Sequence, residues 1–390
     1  MNDPSSPMAH SRRLRMLNET GPDTDMGKLL RRFWQPIALA NSVEPGKSRA
    51  VRILSEDLTL YRGASGKPYL VGGRCPHRLT RLHTGWVQGE EVRCVYHGWK
   101  FAASGQCTEA PAEGAGTACK IRIASYPVRE YAGLFFAWLG GGEAPEFDLP
   151  RKPVLEREGG LVIAREQPWP CNWFHQVENS LDAVHVSFVH HAGKAGPFGQ
   201  AITGAIPRLA YEETDSGIRQ TATRSETNVR VSDWTFPNNN HIIIPALPGD
   251  PWVDVVVYMS PIDDGNTNRF LIYSMPAGNP EAHARFREHY RMYGGYNPVD
   301  HHDDLFNKGV YPEEPILQLT GAQDYVATLG QGVFADRDGE RLGKSDAGVV
   351  FLRRLFWREM DLVREGKPTK QWRRLDHSVE LPKPKSVAAE

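Results

Sequence analysis

Two short segments of the chain combine cysteine and histidine at spacings suited to metal binding. The first is Cys75-Pro76-His77 and the second, sixteen residues later, is Cys94-Val95-Tyr96-His97. Two thiolates and two imidazoles could bind zinc or an iron–sulfur cluster. A Cys2His2 zinc finger usually groups its cysteines together and its histidines together, whereas each segment here supplies one of each. This arrangement favours a [2Fe–2S] cluster in which two cysteines bind one iron and two histidines bind the other. Three further cysteines lack ligand spacing and are predicted to be small apolar residues: Cys107, Cys119 and Cys171.

A second candidate metal site lies in residues 178–190, which contain the pattern D-x-x-H-x-x-x-x-H. On a helix, Asp182 and His185 share one face because they are three residues apart. His185 and His190 are five apart and lie about 140° apart around an ideal helix, so they could share a metal only where the helix ends or bulges. Two histidines and one carboxylate form the facial triad of non-haem Fe(II) oxygenases, although a histidine pair on a helix is more often structural.

The third ligand of such a triad should be a carboxylate further along the chain, and two segments offer one. The run His301-His302-Asp303-Asp304 has the pattern of a solvated surface, because adjacent side chains diverge on a helix or a strand. The pair Gln323-Asp324 lies in a segment with a helical pattern, 316–329, and is the better candidate.

The elements that must position these residues indicate two folded regions. Residues 50–140 contain short apolar or alternating stretches separated by turns with Gly and Pro, which is typical of a small all-β domain. The fold class is predicted to be α+β, with that small domain and a larger domain whose antiparallel sheet is flanked by helices. We expect an N-terminal segment at 1–37, a cluster domain at 38–155 and a second metal domain at 156–390. Helices are predicted at 22–37, 172–190, 280–293, 316–329 and 346–365, and strands of the larger domain at 217–224, 241–244, 253–259 and 270–274.

Composition limits the classes of function. The chain has 390 residues and a formal net charge of −1, so no basic excess indicates nucleic-acid binding. No run of about 18 apolar residues could span a membrane, and the N-terminus has no apolar segment typical of a secretory signal. We therefore expect a cytoplasmic protein. No G-x-G-x-x-G lies between a strand and a helix, so flavin and nicotinamide should be bound by another protein.

The motifs together resemble one family. Cys75-Pro76-His77-Arg78 with the run from Cys94 to Trp99 resembles the Rieske domain of aromatic-ring-hydroxylating oxygenases. The D-x-x-H-x-x-x-x-H pattern resembles the catalytic domain of that family, and the Gln323-Asp324 pair is similar to its phthalate dioxygenase branch. The resemblance implies a [2Fe–2S] cluster bound by Cys75, His77, Cys94 and His97. It also implies a mononuclear non-haem Fe(II) bound by His185, His190 and Asp324.

The same resemblance implies the oxygenase component of a multicomponent system. This component uses O2 and electrons from NADH, delivered by a separate reductase that carries a flavin and a [2Fe–2S] centre, to oxidise an aromatic substrate. Members of the branch hydroxylate aryl acids, cleave aryl ethers or remove N- or O-alkyl groups, so the substrate stays open. A homotrimer or a dimer of trimers is implied. The alternatives are a Rieske-type electron carrier without its own oxygenation and a zinc-binding regulatory protein.

Further residues are assigned roles near the second metal. Asp182 precedes His185 by one helical turn, so its carboxylate is expected to reach the outer nitrogen of that histidine. The resemblance implies that Asp182 bridges His185 to a cluster histidine of an adjacent chain, here His97 of the partner subunit. Leu79-Thr80-Arg81 stands where many relatives have small residues, so the surroundings of the cluster or the docking of a partner could differ. Predicted lining residues of the substrate pocket are Phe174, Asn179, Val184, Asn240, His241 and Ile243. Four arginines in or near strand patterns could meet a substrate carboxylate, and the sequence offers no choice among Arg208, Arg219, Arg224 and Arg230.

Overall fold

The structure, a computed structural model, describes residues 7–113, 116–147, 149, 152–190, 205–244, 250–293, 295–312 and 316–370. Its α-helices are α1 (Pro7–Met16), α2 (Asp25–Leu30), α3 (Pro153–Glu156), α4 (Trp173–Ser180), α5 (His185–Val189), α6 (Pro280–Tyr293), α7 (Ile316–Leu329) and α8 (Ala347–Arg364). In the described part of the chain, no helix has both the length and the apolar character needed to cross a membrane.

Within the described residues, eighteen β-strands account for most of the remaining regular structure. The first eleven are β1 (Gln35–Leu39), β2 (Ser48–Ile53), β3 (Glu56–Arg62), β4 (Pro68–Gly72), β5 (Trp86–Gln88), β6 (Glu91–Arg93), β7 (Lys100–Phe101), β8 (Cys107–Glu109), β9 (Ser125–Tyr126), β10 (Val128–Tyr131) and β11 (Leu134–Ala137). The others are β12 (Leu161–Trp169), β13 (Arg208–Glu213), β14 (Gly217–Thr223), β15 (Val229–Thr235), β16 (Asn239–Ile244), β17 (Val253–Asp263) and β18 (Asn266–Met275).

The described chain separates into two compact units. The first comprises Thr20–Phe147 and Ser260–Asp263, and the second comprises the rest of the described residues. The first unit contains three small antiparallel sheets, with the strand orders β2-β3-β4-β9, β5-β6-β7-β8 and β1-β11-β10. One of its apolar cores encloses Cys75 and Cys94 together with Leu82, Trp99 and Phe101. The cysteines of both cluster-binding segments are therefore shielded from water.

The second unit is built on a seven-stranded sheet with the order β12-β18-β17-β16-β15-β14-β13. Side chains alternate between the two faces of such a sheet, and three of its strands, β16, β17 and β18, are buried on both faces. Helix α7 packs against α4 and α5, and α4 also packs against α8. These helices supply the second set of metal-binding candidates.

The observed architecture confirms the predicted α+β fold class. The predicted helices at 280–293 and 316–329 are α6 and α7. The helix predicted at 172–190 is interrupted at residues 181–184, and the helix predicted at 22–37 is only α2. A helix could not in any case run to residue 37, because Pro36 lacks the N–H that a continuing helix requires and lies in β1.

Candidate metal centres and cavity

The two segments with cysteine and histidine form turns of the same design. The Cys75 N–H donates to Thr80 O at 2.9 Å, and the Leu79 N–H donates to Cys75 O at 2.8 Å. The second turn repeats both bonds at the same spacing, from Cys94 to Trp99 O at 2.8 Å and from Gly98 to Cys94 O at 3.1 Å. Each turn thus holds one cysteine and one histidine in a closed loop of backbone.

The donor atoms of the first set suit a metal cluster. The rings of His77 and His97 lie next to each other, with 4.4 Å between their centroids. His77 Nδ1 is buried and has no hydrogen-bond partner in the protein, which is rare unless the atom binds something else. Burial raises the pKa of the Cys75 thiol to about 12, and the neighbouring Cys94 adds to the rise. A bound metal would favour the thiolate instead, so the set of thiols and imidazoles fits the predicted cluster.

The second set brings together His185 at the start of α5, His190 just after its end, and Asp324 in α7. His185, His190 and Asp324 each offer a ligand atom, and these atoms lie within 4.8 Å of one another. Asp324 Oδ1 is 3.6 Å from His185 Nε2 and 3.4 Å from His190 Nε2. Their role as iron ligands stays a prediction, but two imidazoles and one carboxylate converge as a facial triad requires.

The outer nitrogen of each imidazole is held by an oxygen acceptor. His185 Nδ1 donates to the main-chain carbonyl of Asp182, and His190 Nδ1 donates to Gln323 Oε1 at 3.1 Å. In neutral imidazoles these bonds place the proton on Nδ1, and Nε2, the nitrogen nearer Asp324, is then the ligand atom. Hydrogen bonds of this kind orient metal-binding histidines. The sequence indicates Gln323 only as the neighbour of Asp324 and carries no sign of its contact with His190.

A break in the chain allows two histidines five residues apart to face one point. Helix α4 ends at Ser180, and Asp182 Oδ1 then accepts from the N–H groups of Val184 and His185, at 2.9 and 3.2 Å. This Asp182 turn, residues 181–184, starts α5, which ends at Val189, so that His190 leaves the helix. The carboxylate of Asp182 was expected to reach the outer nitrogen of His185. The carbonyl of Asp182 takes that position, and Oδ2 lies 3.8 Å from Nδ1.

The electrostatics keep the carboxylate charged. Burial raises the pKa of Asp324, but His190, His185 and Arg269 outweigh it and hold the pKa well below its usual range. Burial also lowers the pKa of His190, which favours the neutral imidazole that a metal requires. An ionised carboxylate and neutral imidazole are the ligand forms for Fe(II).

The three residues line a cavity of about 220 Å³ in the second unit. One face of the sheet forms its floor, through every second residue of successive strands. The floor residues include Asn240, Ile242 and Ile244 from β16, Val255, Val257 and Met259 from β17, and Arg269, Leu271 and Tyr273 from β18. Asn240 pairs with Val257 and Ile242 with Val255 across the sheet, which places their side chains on the same face. We call this surface the sheet floor.

Two of the six predicted lining residues, Asn179 and Asn240, line the cavity, and four do not. His241 and Ile243 fall on the opposite face of β16, where His241 Nε2 lies 2.8 Å from Asp254 Oδ1. A strand alternates with a period of two, so a prediction shifted by one residue selects the wrong face. Phe174 belongs instead to an aromatic core with Trp173 and Phe356. Val184 lies in the Asp182 turn outside the lining residues.

The structure also separates the other charged candidates into residues that line the cavity and residues that lie away from it. Asp303 and Asp304 lie within 2.9 and 2.8 Å of Lys308 Nζ, apart from the histidine pair. Arg208 is exposed, and Arg219 Nε donates to Asp233 at 3.0 Å. The remaining two of the four arginines line the cavity: Arg224 and Arg230.

Comparisons with known proteins agree with this class of site. Residues 33–128 match the model of the Rieske [2Fe-2S] domain. The chain is 33% identical to the oxygenase subunit of 5,5'-dehydrodivanillate O-demethylase from Sphingobium sp. (strain NBRC 103272 / SYK-6), over 91% of this chain and 81% of that protein. It is 30% identical to phenoxybenzoate dioxygenase subunit alpha from Ectopseudomonas oleovorans, over 90% and 85%.

The fold has a close counterpart among solved structures. The terminal oxygenase of carbazole 1,9a-dioxygenase from Nocardioides aromaticivorans IC177 superposes with a TM-score of 0.68, over 90% of this chain and 98% of that one, at 19% identity. Fold and motifs thus define a Rieske oxygenase with a cluster domain and a catalytic domain. The chain belongs to the Rieske non-haem iron oxygenases, as an oxygenase subunit of the phthalate dioxygenase type.

Proposed function

We propose that the chain is a terminal oxygenase that oxidises an aromatic substrate held on the sheet floor, at a mononuclear Fe(II) bound by His185, His190 and Asp324. The observation that carries the proposal is the convergence of these three ligand atoms within 4.8 Å at the wall of a largely apolar cavity. An electron carrier needs neither a second metal site nor a substrate cavity.

The residues of this chain would bind the metal and position the substrate. Iron bound there supplies the activation of O2 for oxidation of the substrate. The Asp182 carbonyl and Gln323 hold protons on the outer nitrogens of His185 and His190. The sheet floor excludes water from the apolar part of a substrate. Cys75, His77, Cys94 and His97 would hold the [2Fe–2S] cluster through which electrons arrive.

The remaining components of the system are inferred from the family. A separate NADH-dependent reductase, with a flavin and a [2Fe–2S] centre, would supply electrons, and O2 is the co-substrate. We propose a cytoplasmic homotrimer or dimer of trimers, with a cluster domain at 38–155 and a catalytic domain at 156–390. The two relatives are named for an aryl ether demethylation and for a phenoxybenzoate, so aryl acids and aryl ethers head the candidate substrates, followed by N-alkyl aromatics.

An iron count combined with a product assay tests the proposal. Purified protein should contain about three iron atoms per chain, two in the cluster and one in the mononuclear site. With a surrogate reductase, NADH and O2, at least one compound in a panel of aryl acids, aryl ethers and N-alkyl aromatics should be oxidised. About two irons per chain and no product from any of them would identify an electron carrier instead. Zinc in place of iron, without the visible absorption of a cluster, would identify a regulatory zinc protein.

A further inference from the structure

A row of three polar side chains crosses one end of the sheet floor. Tyr211 of β13 pairs with Gln220 of β14, and Gln220 pairs in turn with Ser232 of β15. Directly paired residues of antiparallel strands have their side chains on the same face, and Gln220 and Ser232 both line the cavity. The part of the floor formed by β16 and β17 is mostly apolar by comparison. Buried polar groups need hydrogen-bond partners, so the contacts of this row indicate what it holds.

Two members of the row meet at a single backbone carbonyl. Gln220 Nε2 donates to Leu181 O, and the Tyr211 hydroxyl donates to the same oxygen at 3.2 Å. Gln220 Nε2 also donates to the Tyr211 oxygen at 3.3 Å, which ties the two side chains together. Burial raises the pKa of Tyr211, so its hydroxyl keeps the proton that it donates at neutral pH. We call these two side chains the Leu181 clamp.

Helix α8 encloses the clamp from a third direction. A Cβ at Gly348, the second residue of α8, would lie 2.5 Å from Tyr211 Cε1 and 2.7 Å from Leu181 O. Both separations are shorter than van der Waals contact, so glycine is what allows α8 to approach the clamp this closely. Leu181 itself is the residue that ends α4. The first carbonyl of the Asp182 turn is therefore enclosed by two strands and a helix.

Two further carbonyls at the turn are held from the same sheet. Asn240 Nδ2 donates to Ser180 O at 3.4 Å, while Asn240 Oδ1 accepts from Ser232 Oγ at 3.0 Å. Arg224 Nη2 donates to Ala183 O at 3.2 Å. Side chains of the sheet thus contact the backbone at residues 180, 181 and 183, directly before α5 begins.

We propose that Gln220 is a positioning residue for the mononuclear metal site, which acts on His185 through the Leu181 clamp and the Asp182 turn. A buried carbonyl needs a partner in any fold, but two donors from two strands also fix where this carbonyl lies. Helix α5 has only five residues, and a helix this short is not stable by itself. The location of His185 at its start therefore depends on the turn before it. This inference rests on the proposed function, because it assumes a metal bound by His185.

Release of the mononuclear iron tests this role without turnover. Gln220→Met keeps the length of the side chain and removes both hydrogen bonds that its Nε2 donates. Under anaerobic conditions, with the cluster oxidised, we expect this variant to lose about one iron per chain to excess ferrozine about tenfold faster than the wild type or more, the range seen for residues that orient metal ligands. Cluster absorption and melting temperature verify that the variant is folded. A wild-type rate of release would overturn the proposal.

The chain offers a matched control for the loss of a buried hydrogen bond. Gln167 is also buried, also lines the cavity and also donates to a backbone carbonyl, that of Tyr296, at 3.3 Å. Tyr296 lies outside the turn and the two helices that carry the candidate ligands. Gln167→Met should therefore release iron at the wild-type rate. Release as fast as in Gln220→Met would show a general loosening of the cavity and would also contradict the proposal.

Hydrogen exchange provides a measurement that needs no metal. In Gln220→Met, amides in peptides covering 181–190 should exchange faster, because the N–H groups of Val184 and His185 are bonded within the turn. Amides of β17 and β18 should exchange as in the wild type. Tyr211→Phe removes one of the two donors to Leu181 O and should change exchange and iron release in the same direction by a smaller amount. Unaltered exchange in both variants would refute the clamp.

The outcomes separate this inference from the proposed function. If wild-type protein holds no mononuclear iron but Gln220→Met exchanges faster at 181–190, the proposed function fails and the clamp on the turn stands. If the wild type holds this iron and oxidises an aromatic compound, while Gln220→Met matches it in iron release and exchange, the oxygenase function stands and the positioning role fails. A higher KM in Gln220→Met, with iron release and exchange unchanged, would make Gln220 a substrate contact instead and would equally overturn the proposal.

Discussion

The two histidines of the second set differ in how their outer nitrogens are held. His185 uses a main-chain carbonyl within its own turn, and His190 uses the side chain of Gln323 on α7. The first contact forms with the turn itself, while the second requires α5 and α7 to pack correctly. Orientation of His190 thus depends on the same helix that carries Asp324.

Replacing a cluster cysteine should remove the cluster. In Cys75→Ser a hard hydroxyl takes the place of a soft thiolate, and the residue is 1% exposed. We expect loss of the visible absorption and of the Rieske electron paramagnetic resonance signal of the reduced protein. Cys107→Ser, at a buried cysteine outside the motif, is the control and should keep both. An unchanged signal in Cys75→Ser would remove this residue from the set of ligands.

Asp324, rather than Asp303, should complete the mononuclear site. Asp324→Ala removes the only carboxylate that approaches both histidines within 3.6 Å among the described residues. We expect loss of about one iron per chain and of turnover, with the cluster absorption retained. Asp303→Ala alters a residue that pairs with Lys308 and should keep all iron. The opposite pattern of iron loss would transfer the role to Asp303.

Asp182 should matter for electron transfer beyond its part in the turn. The family resemblance implies a bridge from Asp182 to His97 of the partner subunit. Asp182→Asn keeps an oxygen for the two N–H groups that begin α5 but removes the charge. We expect both metals to be retained and turnover to fall at least about tenfold, the range seen for residues that support metal ligands. Stopped-flow reoxidation of the pre-reduced cluster, with substrate and O2, measures the step. Reoxidation at the wild-type rate would limit Asp182 to capping α5.

At the scale of elements, the two cluster turns place a left-handed residue at the same position. Leu79 has φ +60° and Gly98 has φ +72°, each four residues after its cysteine. This conformation costs about 1–2 kcal/mol for a residue with a side chain. Leu79 is also 62% exposed, so the strained residue contributes little packing. The unusual Leu79 noted in the sequence thus occupies a position that suits glycine.

Opposite substitutions in the two turns should shift stability in opposite directions. Gly98→Ala should lower the free energy of unfolding by about 1 kcal/mol through its backbone conformation, because the nearest atom to an added Cβ, Pro111 Cγ, is 3.4 Å away. Leu79→Gly should leave it unchanged or higher, since relief of strain offsets about 0.5–1 kcal/mol of chain entropy. Urea unfolding followed by cluster absorption measures both. Equal losses of unfolding free energy in the two variants would refute the idea that both turns need a glycine-like backbone at this position.

The sequence predicted the positions of helices better than it predicted which face of a strand lines the cavity. Periodicity located α6 and α7 to the residue, because both are amphipathic or apolar over their whole length. It could not locate the break at residues 181–184, which depends on hydrogen bonds that the Asp182 side chain accepts from the N–H groups of Val184 and His185. It also chose His241 and Ile243 where the sheet floor uses Ile242 and Ile244. The face of a strand buried on both sides is set by tertiary packing, and local pattern carries no sign of it. The metal candidates could be named because ligand chemistry restricts the residue types.

At the scale of the whole molecule, the assembly is expected to be a homotrimer. The proposed bridge between Asp182 and a cluster histidine of another chain needs a closed oligomer in which every chain gives and receives one contact, and the family resemblance implies that this oligomer is a ring of three chains. Light scattering at assay concentrations should give about three times the chain mass of 43.7 kDa, or about six times for a dimer of trimers. A monomer with full activity would refute both the ring and the bridge.

The alternation of side chains along β16 has a practical consequence for changing what the enzyme accepts. Ile242 and Ile244 border the cavity, whereas His241, between them in sequence, is bonded to Asp254 on the other face. A mutant library confined to the cavity-facing positions of β16 and β17 would therefore vary selectivity at small expense in folding. A library of the same size spread over consecutive residues would also change buried side chains on the other face, such as His241, and should contain more destabilised variants. One strand can in this way evolve new chemistry on one side while the other side keeps the fold intact.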